Sequence, residues 1–410
     1  MKLQFHRGLV IAAGLMTSTQ AWSQDSLLDG LQSMVTEGKA SINLRYRFEG
    51  VDQDGFDEDA KSSLLRSRLT LESGQYKGFS ALMEFDDLSS IGAEDYNSTA
   101  NGKTEFPVVA DPVGTDFNQF WVRYNFEGGK GTLGRQRINH GNQRFIGSVA
   151  WRQNEQTFDA IRAEFKPFDG LNIDLSYANT VNRIFGPDDG AQPATWDGDF
   201  PFARADWTIA EGHKLAAFAY LLDIDPITAY PSGRAEDNSN TTFGVEYLGK
   251  LGMFNLAASY ATQSDAGDST LDYDTDYLFL EAAAAFKPVT FKLGYEVLAA
   301  DNGVGFKTPL ATLHKFQGWA DKFLVTPPDG IEDLYVSASG KLGPVKVALI
   351  YHDFQAEDSS ADFGSELNMV GTWPIDKRFL LQLKYASFET DNESRFADTD
   401  RIWFTAQLKL

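Results

Sequence analysis

The stretch Arg401-Ile402-Trp403-Phe404-Thr405-Ala406-Gln407-Leu408-Lys409-Leu410 decides the fold. Its even positions read Ile, Phe, Ala, Leu, Leu, and its odd positions read Arg, Trp, Thr, Gln, Lys. Strand side chains point alternately to opposite faces, so this segment has one apolar and one polar face. The same split separates Val345, Val347, Leu349 and Tyr351 from Lys346, Ala348, Ile350 and His352. It also separates Ile42, Leu44, Tyr46 and Phe48 from Asn43, Arg45 and Arg47. A soluble sandwich sets its apolar face against a second sheet. An outer-membrane barrel sets that face against lipid and lines a lumen with the other.

The connections choose between these two. Eighteen segments carry the alternation: 40–49, 63–73, 77–87, 117–126, 130–138, 156–166, 170–180, 200–208, 212–224, 240–249, 252–263, 275–286, 289–299, 332–342, 345–354, 362–373, 377–388 and 400–410. Every second connection is tight, as at Glu127-Gly128-Gly129, Ala210-Glu211, Lys287-Pro288 and Gly343-Pro344. Those between are longer and rich in Asp, Asn, Gly and Pro. Tight turns on one rim and long loops on the other is the bacterial outer-membrane arrangement, with the turns in the periplasm. The expected fold is therefore all-β: a single antiparallel transmembrane β-barrel of about 18 strands over residues 40–410. Aromatic residues near strand ends, such as Tyr46, Phe48, Trp121, Tyr124, Phe126, Trp207, Tyr247, Tyr260 and Tyr385, suit interfacial girdles, although strands are rich in aromatics anyway. The closing residue is Leu410 rather than an aromatic.

The first residues set the compartment. Lys2 and Arg7 precede the apolar run Gly8 to Met16, and Ala21-Trp22-Ser23 supplies a small-residue ending. This reads as a secretory leader, residues 1–23, cleaved before Gln24. Residues 24–39 are then a periplasmic N-terminal segment. Leader removal takes two cations and no acid, so the formal charge moves from -22 to -24. Such acidity argues against nucleic acid as a partner. The absence of cysteine removes disulfides and thiolate chemistry. No later stretch has the 18 apolar residues a helical span needs.

Arginine is unevenly placed. Of 17 arginines, 12 lie between residues 45 and 204. Arg45/Arg47, Arg66/Arg68 and Arg135/Arg137 are spaced by two, which puts both members of a pair on one strand face. Opposite the first two pairs lie Leu44, Tyr46 and Phe48, and Leu65, Leu69 and Leu71, so these arginines face the lumen. A lipid-facing Arg near the midplane costs about 2–4 kcal/mol. Arg123 shares a face with Trp121 and Asn125, and Arg401 joins the set on closure, with Lys384 one strand further. With Arg152 and Arg162 these form a cationic wall whose planar groups bind carboxylates by two prongs. The bland alternative is that they pair with lumenal acids such as Glu84, Asp159 and Glu164 to fill the barrel.

The run Leu133-Gly134-Arg135-Gln136-Arg137, then Gly141-Asn142-Gln143-Arg144-Phe145-Ile146-Gly147, Trp151-Arg152 and Thr157-Phe158-Asp159 is more specific than composition. It resembles the alginate-export family of outer-membrane porins, as do Arg66-Ser67-Arg68-Leu69 and Phe106-Pro107-Val108-Val109-Ala110-Asp111-Pro112. The resemblance covers about residues 40–180. It implies an 18-stranded barrel with an arginine-rich constriction that passes an anionic uronate polymer, with Arg66, Arg123, Arg135, Arg137 and Arg152 as constriction residues. The partners expected are outer-membrane lipid and an anionic small molecule or polysaccharide, the protein acting as a monomer in the bacterial outer membrane with no cofactor.

Two long loops can narrow such a channel. Residues 88–116 fold inward or form a surface flap, and residues 300–331 contain a run, 309–320, with helical spacing for a short helix in or above the lumen. Asp52-Gln53-Asp54-Gly55-Phe56-Asp57-Glu58-Asp59 lacks the bidentate Glu of a calcium loop and reads as a solvated acidic loop. The rival readings are a barrel hydrolase and a non-conducting scaffold barrel. No Gly-x-Ser-x-Gly or His-Glu-x-x-His motif occurs, and His140, His213, His314 and His352 sit in no nucleophile motif, so no catalytic residue is assigned.

Overall fold

The computed structural model describes residues 24–227 and 233–410. The expected leader, residues 1–23, lies outside the described residues. The chain forms a short helix, α1 (Gln24–Thr36), then strands β1 (Lys39–Gln53), β2 (Ala60–Glu72), β3 (Phe79–Asp95), β4 (Gly114–Phe126), β5 (Gly129–Gln136), β6 (Thr157–Phe168), β7 (Leu171–Asn182), β8 (Thr195–Ala210), β9 (His213–Ile224), β10 (Asn240–Leu251), β11 (Phe254–Asp265), β12 (Asp274–Phe286) and β13 (Val289–Leu298). After a two-residue hairpin, β14 (Ala300–Asp301) and β15 (Val304–Gly305), come β16 (Ile331–Leu342), β17 (Val345–Gln355), β18 (Asp362–Pro374), β19 (Phe379–Glu389) and β20 (Thr399–Lys409).

Apart from the hairpin, these strands make one 18-stranded antiparallel sheet that closes on itself. Each strand of the sheet pairs with its neighbours in sequence, and β1 pairs with both β2 and β20. At the seam Ile42 and Leu410 exchange backbone hydrogen bonds of 3.0 and 2.8 Å, so the chain end completes the cylinder. Closure leaves no unpaired edge, which the bilayer demands of any strand that crosses it. The turns between β4 and β5, β6 and β7, and β8 and β9 are two residues long, with Gly128, Gly170 and Gly212 at positive φ. Glycine takes that backbone region without a Cβ clash, which lets a two-residue turn reverse the strand.

The alternation read from the last segment appears in space. Ile402 and Phe404 are exposed on the outside, whereas Arg401, Trp403 and Thr405 are buried inside. Around the circumference the outer face carries Leu133, Ile161, Phe243, Leu293 and Leu383, all exposed to the surroundings. Exposed apolar area of this extent would be costly in water; in a bilayer it is the lipid contact. Three outward tyrosines, Tyr177, Tyr260 and Tyr385, each donate to an aspartate on the next strand, Asp199, Asp276 and Asp400. They sit where an amphipathic ring has one end apolar and the other wet. Trp121 departs from the girdle expectation: it is buried on the inner face.

Two long loops enter the barrel from the long-loop rim. Residues 137–156, between β5 and β6, carry Phe145 and Ile146 into an apolar cluster with Phe202, Phe218 and Tyr220 of β8 and β9, and Tyr277 of β12. Residues 299–330 add Phe306, Leu310, Ala320 and Phe323 to the same cluster. The helix expected over 309–320 is one short 3-10 turn, Leu313–Lys315. Inside the barrel this segment finds partners for its backbone on β18 and the other loop, so it has no need of a full helix. Residues 96–113 do both things expected of them. Val109 and Tyr96 cover Val51, Leu64 and Leu88, while Asp111, fully buried, reaches the lumen.

Candidate functional site

On the inner wall, β1 and β2 set Arg45 directly opposite Arg66, with Arg47 and Arg68 one step along the same face. Like charges side by side are destabilising, and the inward loop 137–156 offsets this. Arg45 donates to the carbonyls of Ala150 (3.0 Å) and Arg152 and to the Gln153 side chain (2.7 Å). Arg47 donates to the Trp151 carbonyl at 2.7 Å and lies 4.1 Å over the Trp151 ring. Arg66 reaches the Gln153 carbonyl at 3.3 Å. The loop backbone thus lies on a bed of guanidiniums, which suits carbonyl oxygens that would otherwise be buried without donors.

Carboxylates complete the arrangement. Glu155, at the end of the loop, meets Arg68 (2.7 Å), Arg137 and Arg66 (3.7 Å). Burial alone would raise its pKa, but the charges of Arg68, Arg137 and Arg66 hold it well below the usual carboxylate range. Arg152 ties three segments together, with Glu49 at 3.2 Å, Asp321 at 2.8 Å and Asp111 at 3.7 Å. Arg401 closes the knot on Glu49 at 3.2 Å and Asp321 at 3.6 Å.

Next to this knot, Lys384 stands over the rings of Trp319 (3.7 Å) and Trp151 (4.0 Å) and donates to His314 Nε2 at 2.6 Å. His314 Nδ1 lies 2.7 Å from Asp321, so the ring is held between a donor and an acceptor. Burial first, and the nearby Lys384 charge, push His314 down to about 3 although Asp321 opposes them. A neutral ring, with Nδ1–H donating to Asp321 and Nε2 accepting from Lys384, satisfies all three groups.

Arg45, Arg47, Arg66, Arg68, Arg152, Lys384 and Arg401 line the interior, each 8% exposed or less beneath the loops. Arg137 and Arg162 also point inward, Arg137 onto Glu84 and Glu155, Arg162 onto Asp174 (Nε–Oδ1 3.0 Å). Arg123 points inward with its guanidinium 4.1 Å over Trp121. Arg135 is corrected. It lies directly opposite Phe120 and Asp159, with outward Leu133 two residues before it, so it faces out and pairs with Asp159 at 2.8 Å. Because β5 ends at Gln136, Arg137 lies beyond the strand and the two-residue spacing no longer places it with Arg135. His352 faces the lumen as expected, bonded to Asp333 at 2.8 Å.

Several residues escaped the sequence reading. Arg144, from the Arg-Phe-Ile-Gly run, is buried between Glu296 of β13 (2.7 Å), Thr308 (2.9 Å) and Gln317 (3.2 Å), and so pins one inward loop to the other. Glu366 of β18 accepts the backbone N–H groups of Trp319 and Ala320 (2.9 Å for Ala320). Glu49, Asp111, Glu155 and Asp321 are single acids whose importance depends on which arginine they meet. The one available signal was Phe145-Ile146 between Arg144 and Gly147, an apolar pair in a loop that has only the interior to be buried in.

A closed, lipid-facing barrel with a polar, loop-narrowed lumen is the architecture of an outer-membrane channel of the porin type, and the bacterial outer membrane is its location. The comparison with family models is specific: the alginate export family matches residues 38–297, and the chain belongs to that family. No curated protein matches the sequence. Among solved structures, OpdK of Pseudomonas aeruginosa, determined with vanillate, superposes with a TM-score of 0.69 at 13% identity over 92% of this chain and 99% of that one. OccK3 (OpdO) of the same organism gives 0.68 at 13% identity over 94% and 98%. OccAB4 of Acinetobacter baumannii gives 0.65 at 14% over 91% and 98%. These likenesses are of fold. The family and these neighbours are channels rather than enzymes.

Proposed function

We propose that this channel passes anionic solutes, uronate saccharides being the class that fits it best, along the β1–β2–β20 side of the lumen. The observation that carries the reading is an imbalance. Arg45, Arg47, Arg123 and Lys384 form no ion pair among the described residues, whereas Glu49, Glu155 and Asp321 are committed to Arg68, Arg137, Arg152 and Arg401, Glu164 near Arg123 to Lys130 and Arg162, and Glu366 near Lys384 to loop backbone N–H groups. Their positive field persists across the low-dielectric interior and favours anions entering a narrow passage. Planar guanidiniums suit carboxylates, and many weak sites in series permit release. Membership of the alginate export family supports the uronate class. The protein acts as a monomer, since the lumen is complete within one chain, and residues 1–23 serve as the export leader.

The test is a reversal-potential measurement on the reconstituted protein in planar bilayers under a salt gradient. Anion preference at moderate salt is expected. Cation preference would overturn the reading. A blocking screen with a uronate, a neutral oligosaccharide and simple anions then separates saccharide recognition from charge selection, and absence of conductance would favour the scaffold alternative.

A further inference from the structure

At the long-loop rim, joined to the Arg152 knot through Lys322, which follows Asp321, lies an open cleft of about 440 Å3 bordered by Gln53 at the end of β1, Lys322 of the inward loop, and Glu393, Ser394, Arg395 and Phe396 of the β19–β20 loop. Its size falls in the range of small-molecule sites. Among its cations, Arg395 is already committed, by two bonds of 2.7 and 2.8 Å, to Asp329. Lys322 is different. Its ammonium makes one hydrogen bond, 2.9 Å to Thr399, and stands 5.8 Å over the Phe388 ring, with no ion pair among the described residues. An ammonium has three donors, so two directions remain for an acceptor.

We propose that this cleft is a docking site for one carboxylate of a hydroxylated solute of one or two sugar units, held by the Lys322 ammonium. This rests on the reading of the channel as anion-selective and names its first station. A single uncommitted ammonium suits a monoanion better than a phosphate or sulfate, which calls for two or more donors of like charge. The Gln53 amide and the Ser394 hydroxyl border the same space and offer hydrogen bonds to sugar hydroxyls, and Phe396 offers an apolar surface for a ring face. Position also supports a relay. Thr399, the partner of Lys322, and Arg401 are two residues apart on the inner face of β20, and Arg401 already holds Glu49 and Asp321. A carboxylate leaving Lys322 therefore meets, one step down the same strand, a cation held by Glu49 and Asp321, which it reaches only by exchanging with them.

The charged groups around Lys322 are Arg401 of β20, Glu366 of β18 and Asp398 of the β19–β20 loop, with Glu393 across the cleft. Burial, with Arg401, brings its pKa down to about 8 against the pull of Glu366 and Asp398. The ammonium is thus charged at neutral pH and lost a little above it, whereas a uronate stays ionised throughout.

The test uses the full chain in planar bilayers with glucuronate added to one side at a time, and glucose as the neutral control. Block from the long-loop side is expected to be about fivefold tighter than from the short-turn side, the worth of one charge-assisted hydrogen bond. Raising the pH from 7 to 9.5 should remove that difference. Lys322→Gln should abolish both the asymmetry and the pH effect, and Lys322→Arg should keep the asymmetry while losing the pH effect. Equal block in wild type and Lys322→Gln, or equal block by glucose, overturns the site. If anion preference persists while block is unchanged in Lys322→Gln, only the docking site fails. If the wild type prefers cations, the channel reading fails by itself. Equilibrium dialysis of glucuronate against detergent-solubilised wild type and Lys322→Gln gives the same contrast without conductance, and equal binding there overturns the proposal.

Discussion

The inward loop 137–156 touches two opposite walls of the barrel, and the walls hold it by different physics. Towards β8, β9 and β12 it packs mainly by aromatic rings, the Phe145 ring 4.8 Å from Phe218 and 5.3 Å from Tyr277, edge-on to the latter, with one polar contact of 3.1 Å between His140 Nδ1 and Tyr220 Oη. Towards β1, β2 and β20 it is held by guanidiniums donating to its carbonyls and to Glu155. Apolar contacts have no substitute in water, so the aromatic side behaves as a hinge plate fixed to the wall. Ionic and carbonyl contacts can be exchanged one for one with water or with an anionic solute. On the proposed anion-selective reading, the passage runs along the arginine side, and the aromatic side keeps the loop from leaving the lumen.

The largest effects should come from removing a fixed point. Arg144→Ala leaves Glu296 buried with only Tyr277 and Gln317 to meet it, a change that costs about 3–5 kcal/mol when one partner of a buried pair is lost. Phe145→Ala costs a similar about 3–5 kcal/mol through its cavity. Both should release the loop, seen as larger and noisier single-channel conductance and as new protease sensitivity between residues 137 and 156. If Phe145→Ala keeps the wild-type conductance and protease resistance, the aromatic wall is not what fixes the loop; if Arg144→Ala does, the Glu296 pair is not.

Replacing the bed itself should act on selectivity before it acts on seating. Arg45→Gln with Arg47→Gln keeps donors for the loop carbonyls while removing two charges that no carboxylate matches. A fall of roughly threefold in the anion-to-cation permeability ratio is expected, as two nearby unit charges in a partly buried setting should produce. Heat-modifiable gel migration should stay unchanged. An unaltered ratio would mean that these charges are spent wholly on the loop.

Acid offers a gentler way to separate the two walls. His314 in the seated loop has a pKa near 3, below its value of about 6.5 in a free chain, so the seated state binds fewer protons between those values. Its contribution is present above about pH 6.5 and is lost as the pH falls towards 3. Against the cost of burial, Asp321 is kept below the carboxylate range first by His314 and then by Arg152 and Arg401, and Glu155 by Arg68, Arg137 and Arg66. Their contribution is full above about pH 4.5 and fades below it. Conductance should hold from pH 8 to 6.5, begin to rise below, and climb more steeply under pH 4.5. All these groups lie on the polar side, so Phe145→Ala should raise the conductance at every pH without moving these inflections.

The barrel was legible because its signal is local and repeated. Alternation in residues 401–410 or 345–352 needs only a strand and two unlike surroundings, and the sorted turn lengths needed only counting. The inward direction of Arg45, Arg47, Arg66, Arg68, Arg123 and Arg401 followed from the same alternation. What the arginines touch did not follow, because Gln153, Glu155 and Asp321 arrive from loops far along the chain from Arg45, Arg66 and Arg152 respectively, and loop paths carry no period. The expected open cationic row is therefore largely a bed covered by a loop. Arginine spacing reports which way a side chain points, and the loop decides whether solvent reaches it.

Arg135 makes the same point with the smallest expected effect. Spacing alone groups it with Arg137, yet β5 is only eight residues long and stops one residue after it. Up to that point alternation rules, and Arg135 shares the outward face with Leu133 and Phe120. Its charge is met there by Asp159 at 2.8 Å. Arg137, freed from the strand, turns in to Glu84 and Glu155. Arg135→Ala should therefore leave the permeability ratio within error of wild type, whereas Arg137→Ala should strip a partner from Glu155, making the lumen more negative and lowering anion preference. A drop in anion preference with Arg135→Ala as large as with Arg137→Ala would put Arg135 back inside, and the short β5 could no longer be the place where the chain leaves the wall for the lumen.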